Sequence, residues 1–215
     1  MKKYFFITLF TISFSLLSAK DGGLISIQPC YDYINLKTSN IEYHNNTLGL
    51  GISYNFFASN NWGFGAKINY GNTISHSLDN LKIKGTNVAI GSFDKLDFFD
   101  IALGVSLKQE LSKFTIIENI LPLMSFQSAV NKNYIDSVDL KTFYIGWGLD
   151  LGAKVLYNIN SHFCIGLGID ANITFGLNSV YINYPDATKK TKFTEKTTNV
   201  FSVKLEPSLS FGYYF

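Results

Sequence analysis

Ionisable side chains recur among glycines and small polar residues along this chain of 215 residues. Asp32, Lys67, Asp100, Lys108, Asp150, Lys154, Asp170, Lys204 and Glu206 each fall on the polar face of a segment in which apolar and polar residues alternate. Carboxylates and ammonium groups gathered on one enclosed face can do three things. They can pair into a salt-bridge network, since buried charges persist when paired and hydrogen-bonded. They can gate a narrow passage, or hold a hard cation such as calcium through oxygen ligands. Asp32, Asp100, Asp150 and Asp170 fall at similar depths along their segments, so Lys67 and Lys204 are their expected partners. Structural pairing is the leading expectation, and no metal or cofactor is assigned.

Catalytic chemistry finds less support. Acyl transfer needs a nucleophile activated by a neighbouring base. The three histidines, His44, His76 and His162, fall in expected loops or turns. Ser75 and Ser77 flank His76, but adjacent side chains on a strand point to opposite faces. A histidine and serine two apart on one face, the lipid A deacylase pattern, is absent. No phosphate-binding glycine loop or metal-ligand spacing occurs. Cys30 and Cys164 lie on segments expected to be non-adjacent, at different heights, so two buried thiols acting as small apolar residues are expected rather than a bridge.

The elements that must position these groups show a period of two, the signature of strands with two different faces. Between residues 47 and 57, Leu48, Leu50, Ile52, Tyr54 and Phe56 alternate with Gly49, Gly51, Ser53 and Asn55. Residues 62–70, 143–157, 163–175 and 201–215 repeat the pattern, and 24–37 and 98–108 do so more weakly. Residues 114–126 are apolar on both faces and interrupted by Pro122. These eight segments are joined by short connections (58–61, 109–113, 158–162) alternating with long polar ones (38–46, 72–97, 127–140, 176–198). Tight turns at one end and long loops at the other predict an all-β, eight-stranded antiparallel up-and-down transmembrane barrel.

Three features turn the apolar face outward. The polar face is dense in glycine (Gly49, Gly51, Gly63, Gly65, Gly146, Gly148, Gly152, Gly166 and Gly168), which suits the narrow interior of eight strands. Aromatic residues form two bands. Phe56, Trp62, Phe64, Tyr157, Phe163, Phe211 and Tyr213 lie near the short turns, and Tyr31, Tyr33, Tyr70, Phe99, Phe143 and Phe175 near the long loops. The chain ends in Phe215, with apolar residues at alternate positions back through Tyr213, Phe211 and Leu209. Here the sequence resembles the small eight-stranded bacterial outer-membrane β-barrel family, the class of the OmpA transmembrane domain, OmpX and the opacity proteins. The resemblance implies that Leu209, Phe211, Tyr213 and Phe215 form the C-terminal signal read by the barrel assembly machinery. No peptidoglycan-binding domain of the full-length OmpA type is expected.

The composition agrees with export. Hydrophobic residues make up 47% and charged residues 16%, against roughly 25% charged in globular domains. Yet after residue 19 no apolar run approaches the ~20 residues of a membrane helix. Lys2 and Lys3, an apolar stretch over residues 4–17 and Leu17-Ser18-Ala19 read as a cleaved signal peptide, residues 1–19. Residues 20–215 would then carry 16 lysines, no arginine and 16 acidic residues, a balance that excludes the basic footprint of a nucleic-acid binder.

The functional expectation is a non-enzymatic bacterial outer-membrane protein with a plugged lumen and extracellular loops for interaction. A narrow channel for ions or small solutes is the alternative, and a lipid-modifying enzyme the weaker one. Expected partners are outer-membrane lipid, lipopolysaccharide and the assembly machinery. An extracellular glycan or protein ligand could bind at the last long loop, where Tyr181, Tyr184, Lys189, Lys190 and Lys192 offer contacts.

Overall fold

The computed structural model describes the backbone of residues 22–37, 41–58, 61–83, 86–88, 95–135, 138–183 and 192–215. Within these, side chains are described except at 41–45, 73–83, 86–88, 131–135, 138, 140, 182–183 and 192–199. The expected signal peptide, residues 1–19, lies outside the described residues. The strands are β1 (Gly23–Lys37), β2 (Ile41–Phe57), β3 (Trp62–Ile83), β4 (Thr86–Val88), β5 (Lys95–Leu111), β6 (Phe114–Ile135), β7 (Val138–Asn158), β8 (Phe163–Asn183) and β9 (Lys192–Tyr214). The three-residue β4 pairs only with the end of β3. The other eight form a closed, wholly antiparallel barrel in which β1 pairs with both β2 and β9.

The register fixes the barrel's geometry. Paired residues run from Ile27 through Ile52, Ile68, Ile101, Met124, Trp147, Phe175 and Phe201, and return to β1 at Lys37, ten residues further along. An offset of ten over eight strands corresponds to a strand tilt of roughly 35–45° and an interior that side chains can fill. Because the offset is even, inward side chains remain inward around the whole circuit. Closure pairs the backbone of every stave, which membrane-spanning sheets require.

Alternation sorts the two faces as expected. Leu48, Trp62, Ile68, Leu103, Leu167 and Ile169 are exposed on the outside, while Ser26, Gln28, Asn55, Asn69 and Glu206 are buried within. On β8 the apolar band runs from Phe163 to Phe175. Twelve steps of ~3.3 Å tilted by roughly 40° span about 30 Å, close to the apolar belt of a membrane barrel.

The structure corrects the expected loops. Three of the four long connections are mostly strand: β3 continues to Ile83, β6 and β7 meet through the pair Ile135–Val138, and β8 runs to Asn183 before β9 begins at Lys192. The fourth shrinks to residues 38–40. Beyond the apolar band polar and apolar residues mix on both faces, as at Leu177, Asn178, Ser179 and Val180 of β8, so the alternation that signals a strand is lost while the backbone ladder continues. Two of the three short turns also tighten, while 58–61 keeps its expected bounds. Ser112 and Lys113 alone join β5 to β6, with Ser112 at φ 56°. Pro122 does not break β6. It points outward opposite Leu149, and the β5–β6 pairing skips between Ala102–Leu123 and Val105–Ile120, where proline has no N–H to give.

Candidate functional site: the lumen

The interior forms four successive zones. Nearest the short turns, Leu24, Phe57, Ile117, Leu156 and Cys164 pack into a buried apolar floor, with Tyr214 against it. Next comes a hydrogen-bonded layer. Asn55 Nδ2 donates to Ser106 Oγ (2.8 Å) and Asn119 Oδ1 (3.0 Å), Ser106 Oγ donates to Asn119 Oδ1 (2.7 Å), and Gln28 Nε2 donates to Ser53 Oγ (3.1 Å). The charged layer follows. Beyond it the inward positions are mixed, with Leu36, Leu96, Val180 and Val200 buried among Gln127, Thr142 and Asn178.

In the charged layer Lys67 Nζ lies 2.8 Å from Glu206 Oε1, 2.9 Å from Asp170 Oδ2 and 3.2 Å from Asp150 Oδ2. Lys204 Nζ lies 2.8 Å from Glu206 Oε2 and 3.5 Å from Asp32 Oδ1, and donates a short bond to Asp100 Oδ2. It also sits 4.0 Å from the centroid of the Phe98 ring. Glu206 joins the two lysines into one network. The contacts cross the barrel: β9 and β5, joined by Lys204 and Asp100, are diametrically opposed in the strand order, as are β3 and β8, joined by Lys67 and Asp170. Lys154, expected among the carboxylates, instead donates across the lumen to Ser53 Oγ at 3.2 Å. Lys108 stands apart, half-buried beside Glu110 (2.8 Å).

The lumenal glycines have a specific purpose at two positions. A Cβ on Gly152 would lie 1.9 Å from Asp170 Oδ1, and one on Gly65 would lie 2.4 Å from Ser106 Oγ. Each glycine vacates the volume that a neighbouring polar group occupies.

Several groups of the lumen escaped the sequence reading. Thr47 Oγ1 donates to Asp32 Oδ2 (3.1 Å), and Tyr144 Oη pairs with Thr174 Oγ1 (2.8 Å). Cys30, expected to act as an apolar residue, lies 3.6 Å from Asn69 Oδ1 and 3.7 Å from Asp32 Oδ2, whereas Cys164 packs in the apolar floor. Both thiols are free. Their inward parity was the available signal.

The remaining expected site residues are dispersed. Leu209, Phe211, Tyr213 and Phe215 face outward at the β9–β1 closure, where Phe215 N donates to Gly23 O (2.9 Å). The Tyr213 ring meets Phe163 (5.1 Å), Phe215 (5.2 Å) and His162 (5.7 Å). Tyr181 is half-buried on β8, not in a loop. The backbone of Lys192 begins β9, its side chain lying outside the described ones, and Tyr184, Lys189 and Lys190 lie outside the described residues. His44 and His76 belong to the paired backbone of β2 and β3 rather than to loops.

No protein-family model and no curated protein matches this chain. Solved structures do. A major outer membrane protein from Thermus thermophilus superposes with a TM-score of 0.58 at 12% identity, covering 90% of this chain and 99% of that one. The outer membrane protein OprG from Pseudomonas aeruginosa gives a TM-score of 0.50 at 13% identity, covering 91% and 97%. At such identities the likeness speaks for architecture alone, and this chain has the fold of the small bacterial outer-membrane β-barrels.

Proposed function

We propose that this protein is a non-enzymatic barrel of the bacterial outer membrane, delivered there by a cleaved signal peptide. Its lumen is a structural plug, and its strands carry a binding surface beyond the lipid. The observation that supports this reading most directly is the set of side-chain bonds spanning the interior. Asp32, Asp150, Lys154 and Glu206 are no more than 1% exposed, which supports a lumen filled by side chains rather than water. The apolar floor near the short turns adds a second barrier.

The outer face fits lipid and lipopolysaccharide, and the C-terminal row Leu209, Phe211, Tyr213 and Phe215 fits recognition by the assembly machinery. Strand ends beyond Phe175 extend the wall by about 20 Å, taking eight residues of β8 at ~3.3 Å and a roughly 40° tilt. That wall is the surface we assign to an extracellular glycan or protein ligand. As for catalysis, His162 lies in a short turn, stacked on Tyr213 with Nδ1 3.3 Å from Tyr214 O, in no nucleophile–base pair among the described contacts.

Planar-bilayer recording tests the plug. The purified barrel is expected to pass no steady current, before or after proteolysis of its loops. A steady conductance altered by Lys67→Gln or Lys204→Gln would replace this reading with that of a narrow channel.

A further inference from the structure

One charge lies on the wrong side of the barrel wall. Glu118 on β6 points outward and is exposed, on the same face as Ile116 and Ile120. Among the described residues it is the only charged side chain on the outer face between the two aromatic bands. It forms no ion pair with any of them. Four residues separate it from Phe114; at ~3.3 Å each and a roughly 40° tilt, it stands about 10 Å inside the aromatic band at the short turns. A charge on the lipid face of a barrel is destabilising, and an ionisable group at membrane depth calls for a partner.

The surface around the carboxylate is hollowed. Glu118 borders a groove of about 430 Å³ whose lining includes Trp62, Leu107, Ile120, Ala153 and Ala171. The register explains the shape. Ala153 pairs with Glu118 and Ala171 with Leu151, so two short side chains leave a dimple in a wall otherwise built of Leu, Ile and Val. On the other side Leu107 pairs with both Glu118 and Trp62. Two strand spacings of ~4.8 Å therefore set Trp62 and Glu118 roughly 10 Å apart across one row. The Trp62 ring is 62% exposed, and its indole N–H is a donor without a partner among the described residues.

We propose that Glu118, Trp62 and the Ala153–Ala171 dimple hold one phospholipid whose headgroup carries a primary ammonium, of the phosphatidylethanolamine class, from the leaflet at the short turns. The inference rests on the outer-membrane reading above. A primary ammonium offers the carboxylate charge-assisted N–H bonds. A quaternary choline has no such donor, and an anionic headgroup meets repulsion. The indole N–H serves a phosphate or ester oxygen, as tryptophan does at membrane interfaces, and an acyl chain fills the dimple. A second copy of this chain matches the groove poorly. Of the described exposed lysines, Lys37, Lys95 and Lys141 lie beyond the upper aromatic band and Lys113 lies in a turn. A two-fold contact centred here would set one Glu118 against another.

The test reconstitutes the full chain into nanodiscs of phosphatidylethanolamine, phosphatidylcholine and phosphatidylglycerol in equal parts, with identical acyl chains. Native mass spectrometry after release into mild detergent then counts the lipids that stay bound. One ethanolamine lipid per barrel is expected, retained at least fivefold over the choline lipid, with the glycerol lipid retained least. Glu118→Gln should bring the ethanolamine and choline lipids to parity. Ala153→Phe, which fills the dimple and spares the carboxylate, should strip the bound lipid. Both changes lie on the lipid face, and heat-modifiable gel migration identifies the folded fraction of each preparation. Equal retention of the three lipids by folded wild-type barrel, or a preference that survives Glu118→Gln, would overturn the proposal and leave the outer-membrane reading standing. A chain that folds without entering the bilayer would overturn both.

Discussion

Lys204→Met removes a cation that faces three carboxylates, Asp32, Asp100 and Glu206, none more than 4% exposed. Glu206 retains Lys67, but among the described ion pairs Asp32 and Asp100 lose their only cation. Breaking a buried pair on one side costs about 3–5 kcal/mol, because the charge left behind is neither solvated nor paired. Two carboxylates are stranded here, so the upper part of that range is expected, roughly 4–5 kcal/mol. Lys108→Met supplies the contrast. Its partner Glu110 is mostly exposed, so the loss should stay below about 1 kcal/mol. Urea unfolding in detergent, followed by the fluorescence of the outward-facing Trp62 and Trp147, measures both. Adding Asp100→Leu to Lys204→Met removes one stranded charge and should recover part of the loss. If Lys204→Met cost no more than Lys108→Met, the lumen would be hydrated and the charged layer would not brace the barrel.

Three further outcomes follow from the geometry. Gly152→Ala places a methyl group 1.9 Å from Asp170 Oδ1 and should cost about 1–3 kcal/mol by the same urea assay, through displacement of that carboxylate. Ile169→Arg puts a charge midway along the outward band of β8 and should cost about 2–4 kcal/mol in a bilayer, whereas the same change in a soluble barrel's exterior would cost almost nothing. Ser112→Gly relieves the positive φ of 56° in the β5–β6 turn and should add roughly 0.5–1 kcal/mol, seen as a higher urea midpoint.

The strand number, the outward face and the lumenal charges were legible because each was encoded by parity. Where lipid lies on one side and a crowded interior on the other, residues such as Leu167 and Gly168 declare their faces. Parity also located Lys67, Lys204 and their carboxylates before any register was known. It could not show that Lys154 reaches Ser53 instead of an acid, because that depends on barrel closure, which places β7 opposite β2. Nor could it follow β8 past Phe175. There the flanking environments become alike, and Ser179 and Asn178 differ little in polarity although one faces out and the other in.

The position of Lys204 and Glu206 on the final strand has a consequence for biogenesis. A nascent sheet lacking β9 would hold Asp32 and Asp100 without a counterion and leave Lys67 one acceptor short. Seam formation and neutralisation are thus the same event, so a half-wrapped intermediate gains little until its last stave docks. Assembly of this kind should proceed in one cooperative step, with truncated chains left as substrates for quality-control proteases.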